Sequence, residues 1–123
     1  MVLVYFYPKD FTPGCTTEAC GLRDAYAEYE ALGITILGIS YDTPESHKAF
    51  KEEHNLPFTL LSDRETTTAL LYGAKQPGRP AASRRSYLID KQGILLRIID
   101  NVDVATHSED VLSYFQEQVE RTR

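Results

Sequence analysis

Two apolar runs, Val2–Tyr7 (VLVYFY) and Ile34–Ser40 (ITILGIS), carry no alternation of polar and apolar residues. A strand with one wet face alternates, so each run reads as a strand buried on both faces. Between them the period changes. From about Thr16 to Leu32, Ala19, Leu22, Tyr26, Tyr29 and Leu32 recur at helical spacing, and Gly33 supplies a stop. Two buried strands joined by a helical crossover run parallel.

The rest of the chain fills out that frame. Thr43-Pro44 sets an N-cap before an N1 proline, opening a helix to about His54 that ends near Asn55. Phe58–Leu61 reads as a short strand, Glu65–Tyr72 as a short helix closed by Gly73, and Ala74–Ser83 as a loop. Ser86–Ile89 and Ile94–Ile99 are strands joined by the hairpin signal Asp90-Lys91-Gln92-Gly93. Thr106-x-x-Glu109 is a capping box for a last helix that turns Val111, Leu112, Phe115 and Val119 inward. The order β-α-β-α, a small insertion, then β-β-α is the thioredoxin-like α/β arrangement, a mixed sheet flanked by helices. No repeat or linker interrupts the 123 residues, so 1–123 is expected to be one domain.

Composition excludes several functions. A net charge of −5 with no basic stripe argues against nucleic-acid binding. The longest apolar run, Val2–Tyr7, is far too short to span a membrane and lacks the basic flank of a signal peptide. A reducing, cytoplasmic setting is the expectation, and there cysteines are more often reactive than structural.

Both cysteines fall within Pro8–Cys20, PKDFTPGCTTEAC, which leaves the carboxyl end of the first strand. In open α/β sheets, reactive groups gather there. Cys15 stands at the start of the expected helix, where unpaired N–H groups and the helix dipole favour thiolate, the nucleophilic form. Pro13 and Gly14 suit a tight turn that brings backbone amides near the sulfur. Thr12 places beside it a hydroxyl able both to donate and to accept. Cys20 lies five residues on. In a regular helix the two Cα atoms would be roughly 8–9 Å apart, beyond the about 4.4–6.8 Å of a disulfide. A bond between them requires the first turn to unwind, which suits a reaction cycle better than a fixed cross-link. His47, His54 and His107 are scattered, and no zinc spacing is present. A C-x-x-C motif is absent as well.

Pro8-x-x-x-Thr12-x-x-Cys15 matches the active-site motif of the peroxiredoxins. Thr12-Pro13-Gly14-Cys15-Thr16-Thr17-Glu18-Ala19-Cys20 resembles their bacterioferritin-comigratory, or peroxiredoxin Q, branch, as does Arg84-Arg85-Ser86-Tyr87-Leu88-Ile89-Asp90 downstream. The resemblance implies Cys15 as the peroxidatic cysteine and Cys20 as the resolving one. It also implies Thr12 as the hydrogen-bonding partner of the peroxide, Pro8 as a shield against water, Arg84 as the charge beside the sulfur and Glu18 as the residue that holds Arg84. Arg84 and Arg85 point to opposite faces of a strand, so only one can serve; the family spacing picks Arg84. Glu18 also reads as an ordinary acid near a helix start.

The implied activity is thiol-dependent reduction of hydroperoxides through a Cys15 sulfenate and a Cys15–Cys20 disulfide, recycled by thioredoxin or a similar dithiol. No metal, haem or flavin is required, and a monomer or weak dimer is expected. Family members carry a further segment, including a β-hairpin, before the strand with which this chain opens. The domain is therefore expected to lack it and to expose apolar surface. The competing readings are a non-catalytic redox-sensing domain and a general disulfide reductase; Thr12 and Arg84 discriminate, because only a peroxidase needs both.

Overall fold

The computed structural model describes residues 1–121. Its strands are β1 (Val2–Phe6), β2 (Thr35–Ser40), β3 (Thr59–Ser62), β4 (Arg85–Ile89) and β5 (Leu95–Ile99). Its helices are α1 (Pro13–Asp24), α2 (Tyr26–Ala31), α3 (Pro44–His54), α4 (Thr67–Tyr72) and α5 (His107–Arg121). Among the described residues the strands form one sheet in the order β3-β2-β1-β4-β5. β1 is central, parallel to β2 (Tyr5 opposite Gly38) and antiparallel to β4 (Phe6 opposite Arg85).

The unbroken apolar run of β1 follows from that position. Leu3, Tyr5 and Tyr7 enter a core with Leu22, Tyr29, Phe50, Val111 and Phe115. Val4 and Phe6 enter a second on the opposite face, with Ile39, Ala69 and Tyr87. Gly38 on β2 makes room for the first core, since a Cβ there would stand 2.9 Å from Tyr5 and from Leu60.

The helix expected as one piece over Thr16–Leu32 is two, and it begins earlier. Thr12 is its extended N-cap (ψ 151°) and Pro13 its first residue, so Pro13 and Gly14 form helix rather than a preceding turn. Ala25 (ψ 7°) leaves the helix, and α2 resumes with Tyr29 buried and its hydroxyl on the Ser108 carbonyl, 2.7 Å away. The apolar stripe continues through the break, so periodicity does not reveal it. Thr43 caps α3 as expected, accepting from Ser46 N at 3.0 Å. The box expected between Thr106 and Glu109 is different: the Thr106 hydroxyl donates to Asp110 at 2.8 Å, one turn on, while Glu109 is exposed. Apolar surface is open on α4 and β5 and just before it, at Leu70, Leu71, Ile94, Leu95 and Ile98. No described helix is long and apolar enough to cross a membrane.

Candidate active site

Cys15 sits in the first turn of α1, beyond the carboxyl end of β1, buried to 2% exposure. The loop that delivers it is anchored at Asp10. That buried carboxylate accepts from the Tyr7 hydroxyl (2.6 Å), the Ser46 hydroxyl (2.8 Å) and His47 Nδ1 (2.8 Å). Burial works against the charged carboxylate, but the bonds from His47, Tyr7 and Ser46 outweigh it and hold Asp10 below its ordinary range. Asp10, His47 and Asp42 are also near enough to share an ion. Both Asp10 oxygens and Asp42 Oδ2 already accept hydrogen bonds, however, Asp42 Oδ2 from Asp10 N and the Ser40 hydroxyl. The knot ties the loop to α3, and after it Phe11 takes a left-handed φ of 66° with its ring on Phe50.

Arg84 reaches the sulfur from the residue preceding β4. Nη2 donates to Cys15 Sγ at 3.3 Å and Nη1 to Glu18 Oε1 at 2.8 Å. One guanidinium edge therefore bridges sulfur and carboxylate, a geometry open to arginine but not to lysine. Arg85 turns away, donating to the Gly73 carbonyl at 2.7 Å. The bridge crosses Gly14 closely, since a Cβ there would lie 3.2 Å from Arg84 Nη2.

Behind the arginine lies a buried pair. The Glu18 side chain is fully enclosed, and its second oxygen, Oε2, faces His107 Nδ1 at 3.3 Å. His107 Nε2 is 2.7 Å from the Ser86 hydroxyl. Burial drives the Glu18 carboxyl up to about 7 against the opposing pull of Arg84. Burial likewise pushes His107 down to about 4, with Asp110 opposing and Arg84 assisting, so its ring is neutral at pH 7.

Arg84 is thus in direct contact with both Cys15 and Glu18. Thr12 is the N-cap of the same helix, but its hydroxyl hydrogen is committed to the Lys9 carbonyl at 2.8 Å, leaving only lone pairs free. Pro8 is half-buried at the head of the loop, and Cys20 is half-buried further along α1. Both thiols are free. Sequence reasoning missed Asp10 and the role of His47. It also left His107 and Ser86 apart, because nothing in their spacing reports that α5 returns to α1.

Residues 1–98 match the AhpC/TSA family. The chain is 42% identical over 117 residues to a putative peroxiredoxin bcp of Coxiella burnetii, spanning 90% of this chain and 78% of that one. It is 40% identical to peroxiredoxin Bcp of Bacillus subtilis, spanning 98% and 80%. To the chloroplastic peroxiredoxin Q of Populus jackii it is 41% identical, spanning 94% of this chain and 55% of that protein. The structure of Xanthomonas campestris bacterioferritin comigratory protein, described for its alkyl peroxide reduction activity, superposes with a TM-score of 0.89 at 29% identity. That match covers 95% of this chain and 78% of the other.

Proposed function

The chain belongs to the AhpC/TSA family, in its Bcp/peroxiredoxin Q branch, and from that membership we propose that it is a thiol peroxidase working through Cys15 and Cys20. The observation that carries the reading is the Arg84 edge shared between Cys15 Sγ and Glu18 Oε1 at a helix start.

The Cys15 thiolate attacks the terminal oxygen of a hydroperoxide. The S–O bond forms, the O–O bond breaks, and the departing alkoxide or hydroxide takes a proton to leave as alcohol or water. Arg84 lies where negative charge passes from sulfur to the leaving oxygen, the place where a fixed donor lowers the barrier most. Thr12, its own hydrogen held by Lys9, accepts from the peroxide O–H and orients it. Pro8 limits water at the sulfur. Cys20 then condenses with the sulfenate, releasing water and forming the disulfide. Both cysteines lie in α1, so its first turns unwind for that step. An external dithiol of the thioredoxin type returns both thiols by exchange.

Intact mass and free-thiol counts after one equivalent of hydrogen peroxide test the reading. Wild type is expected to lose both thiols within seconds without gaining oxygen, and Cys20→Ser to gain one oxygen. Retention of thiols in both proteins over minutes would defeat it, leaving the family's residues without its chemistry.

Gly14→Ala tests the geometry separately. A methyl group at Gly14 presses on Arg84 Nη2 from 3.2 Å, while alanine is the better helix residue by about 1 kcal/mol. The expected result is unchanged or higher thermal stability with the peroxide rate constant of Cys15 down roughly three- to tenfold. Stability and rate falling together would place the glycine's role in folding instead.

A further inference from the structure

Glu18 Oε2 and His107 Nδ1 face each other at 3.3 Å, both side chains essentially excluded from solvent. Among the described residues neither atom has a hydrogen-bond partner. Two buried polar atoms left in that state are costly, and one proton between them satisfies both. A neutral imidazole has a single N–H. Placed on Nε2 it would point at Ser86 Oγ and leave the Nδ1 lone pair against a carboxylate lone pair. Placed on Nδ1 it serves Glu18, and the Ser86 hydroxyl then donates to Nε2 across 2.7 Å. The second arrangement gives every atom a partner, and the donors run Ser86 to His107 to Glu18, with Arg84 donating to Glu18 on one side and Cys15 on the other.

We propose that His107 is a positioning residue for the Cys15 sulfur: its Nδ1–H fixes Glu18 Oε2, so that Oε1 faces Arg84 and Arg84 keeps Nη2 on Cys15. The link joins three elements that the sequence separates, with α5 supplying the imidazole, α1 the carboxylate and thiol, and the β4 end the guanidinium and hydroxyl. The groups facing His107 are Glu18 on α1, the Tyr5 ring on β1 at 6.0 Å, Ser86 on β4, Arg84, and Asp110 on its own helix. Of these, only Glu18 and Ser86 present an oxygen to the ring nitrogens in the described contacts. The proposal deepens the peroxidase reading and rests on it for its consequence.

The imidazole ¹⁵N shifts of wild type read the tautomer directly. At about pH 8, above the Glu18 titration, a neutral Nδ1–H ring is expected, and an Nε2–H ring there overturns the proposal. Asparagine keeps a donor at the Nδ1 position, whereas leucine keeps bulk and no donor. His107→Asn is expected to react with hydrogen peroxide within roughly threefold of wild type and His107→Leu to be slower by roughly tenfold or more, the scale of a lost bond to a charged group. In a Glu18→Gln background the leucine change should cost nothing further. Ser86→Ala, which removes one hydroxyl and no core volume of note, should free the tautomer and slow the reaction partway. Equal rates for Asn and Leu, or losses that add to those of Glu18→Gln, overturn the proposal. A wild type with the expected tautomer but no peroxide reaction overturns the peroxidase reading alone. The same variants are then compared by alkylation of Cys15 with iodoacetamide in Cys20→Ser. Separation of Leu from the Asn and wild-type rates upholds the positioning role, and one common rate ends it.

Discussion

Replacing Arg84 with alanine will slow the reaction of Cys15 with hydrogen peroxide by roughly 100- to 1000-fold, the cost of losing one fixed donor where charge develops. The side chain serves the sulfur and the buried Glu18 together. Its removal therefore has two consequences. The Cys15 sulfur loses the guanidinium that contacts it, and Glu18 loses the partner that resists its protonation. Arg84→Lys separates these effects. Lysine restores a charge but offers no flat edge with two parallel donors, so it can meet sulfur or carboxylate but not both in line. Its rate constant should fall between those of alanine and wild type. Stopped-flow measurement on freshly reduced protein decides the matter, with Arg85→Ala as the comparison. Arg85 bonds Gly73 and lies on the other face. If Arg84→Ala and Arg85→Ala slow the reaction equally, the bridge is not what activates Cys15.

The frame of this molecule is legible in its sequence because the relevant signals are local. VLVYFY has no wet face, and in the structure both faces of β1 are covered. Thr43-Pro44 and Gly73 carry their caps and stops within a few residues. The break at Ala25 is hidden because the apolar stripe crosses it, and the pattern Thr106-x-x-Glu109 does not report that the Thr106 hydroxyl donates to Asp110 one turn on. At the site, Cys15, Thr12 and Glu18 lie within one turn or two and come as a motif. Arg84 was placed by resemblance, since a strand-end arginine has no local mark of its target. His107 had no signal at all. Its meaning depends on α5 folding back across α1, a long-range contact that no single stretch encodes. The hydrogen committed by Thr12 to Lys9 was likewise invisible, because a hydroxyl's direction is fixed only by the folded loop.

Glu18→Gln will stabilise the protein at neutral pH and leave it nearly unchanged in acid. The carboxyl titrates near 4.5 when unconstrained and at about 7 in the fold, where burial outweighs Arg84. Between those values the native state holds a proton that the unfolded chain has released, so wild-type stability falls as pH rises through the window. At about 1.4 kcal/mol per unit, the loss approaches about 3 kcal/mol by pH 7. Glutamine mimics the protonated acid and escapes it. Urea unfolding of the two proteins should thus give nearly equal free energies near pH 4.5 and a gap of about 3 kcal/mol in favour of the variant above pH 7. His107 acts in the opposite sense. Held at about 4 in the fold against 6.5 when unconstrained, it leaves the unfolded chain binding more protons, so stability is lost as pH falls through that window. The two slopes offset each other in wild type between about pH 4.5 and 6.5; only the histidine's remains in Glu18→Gln, whose stability should therefore drop on acidification where wild type stays flat. A gap that does not grow with pH would mean Glu18 stays ionised throughout. If it does grow, a buried carboxylate is retained here at a standing cost to stability, and the compensating gain has to be sought at Arg84 and Cys15, where the more stable variant should be the slower one.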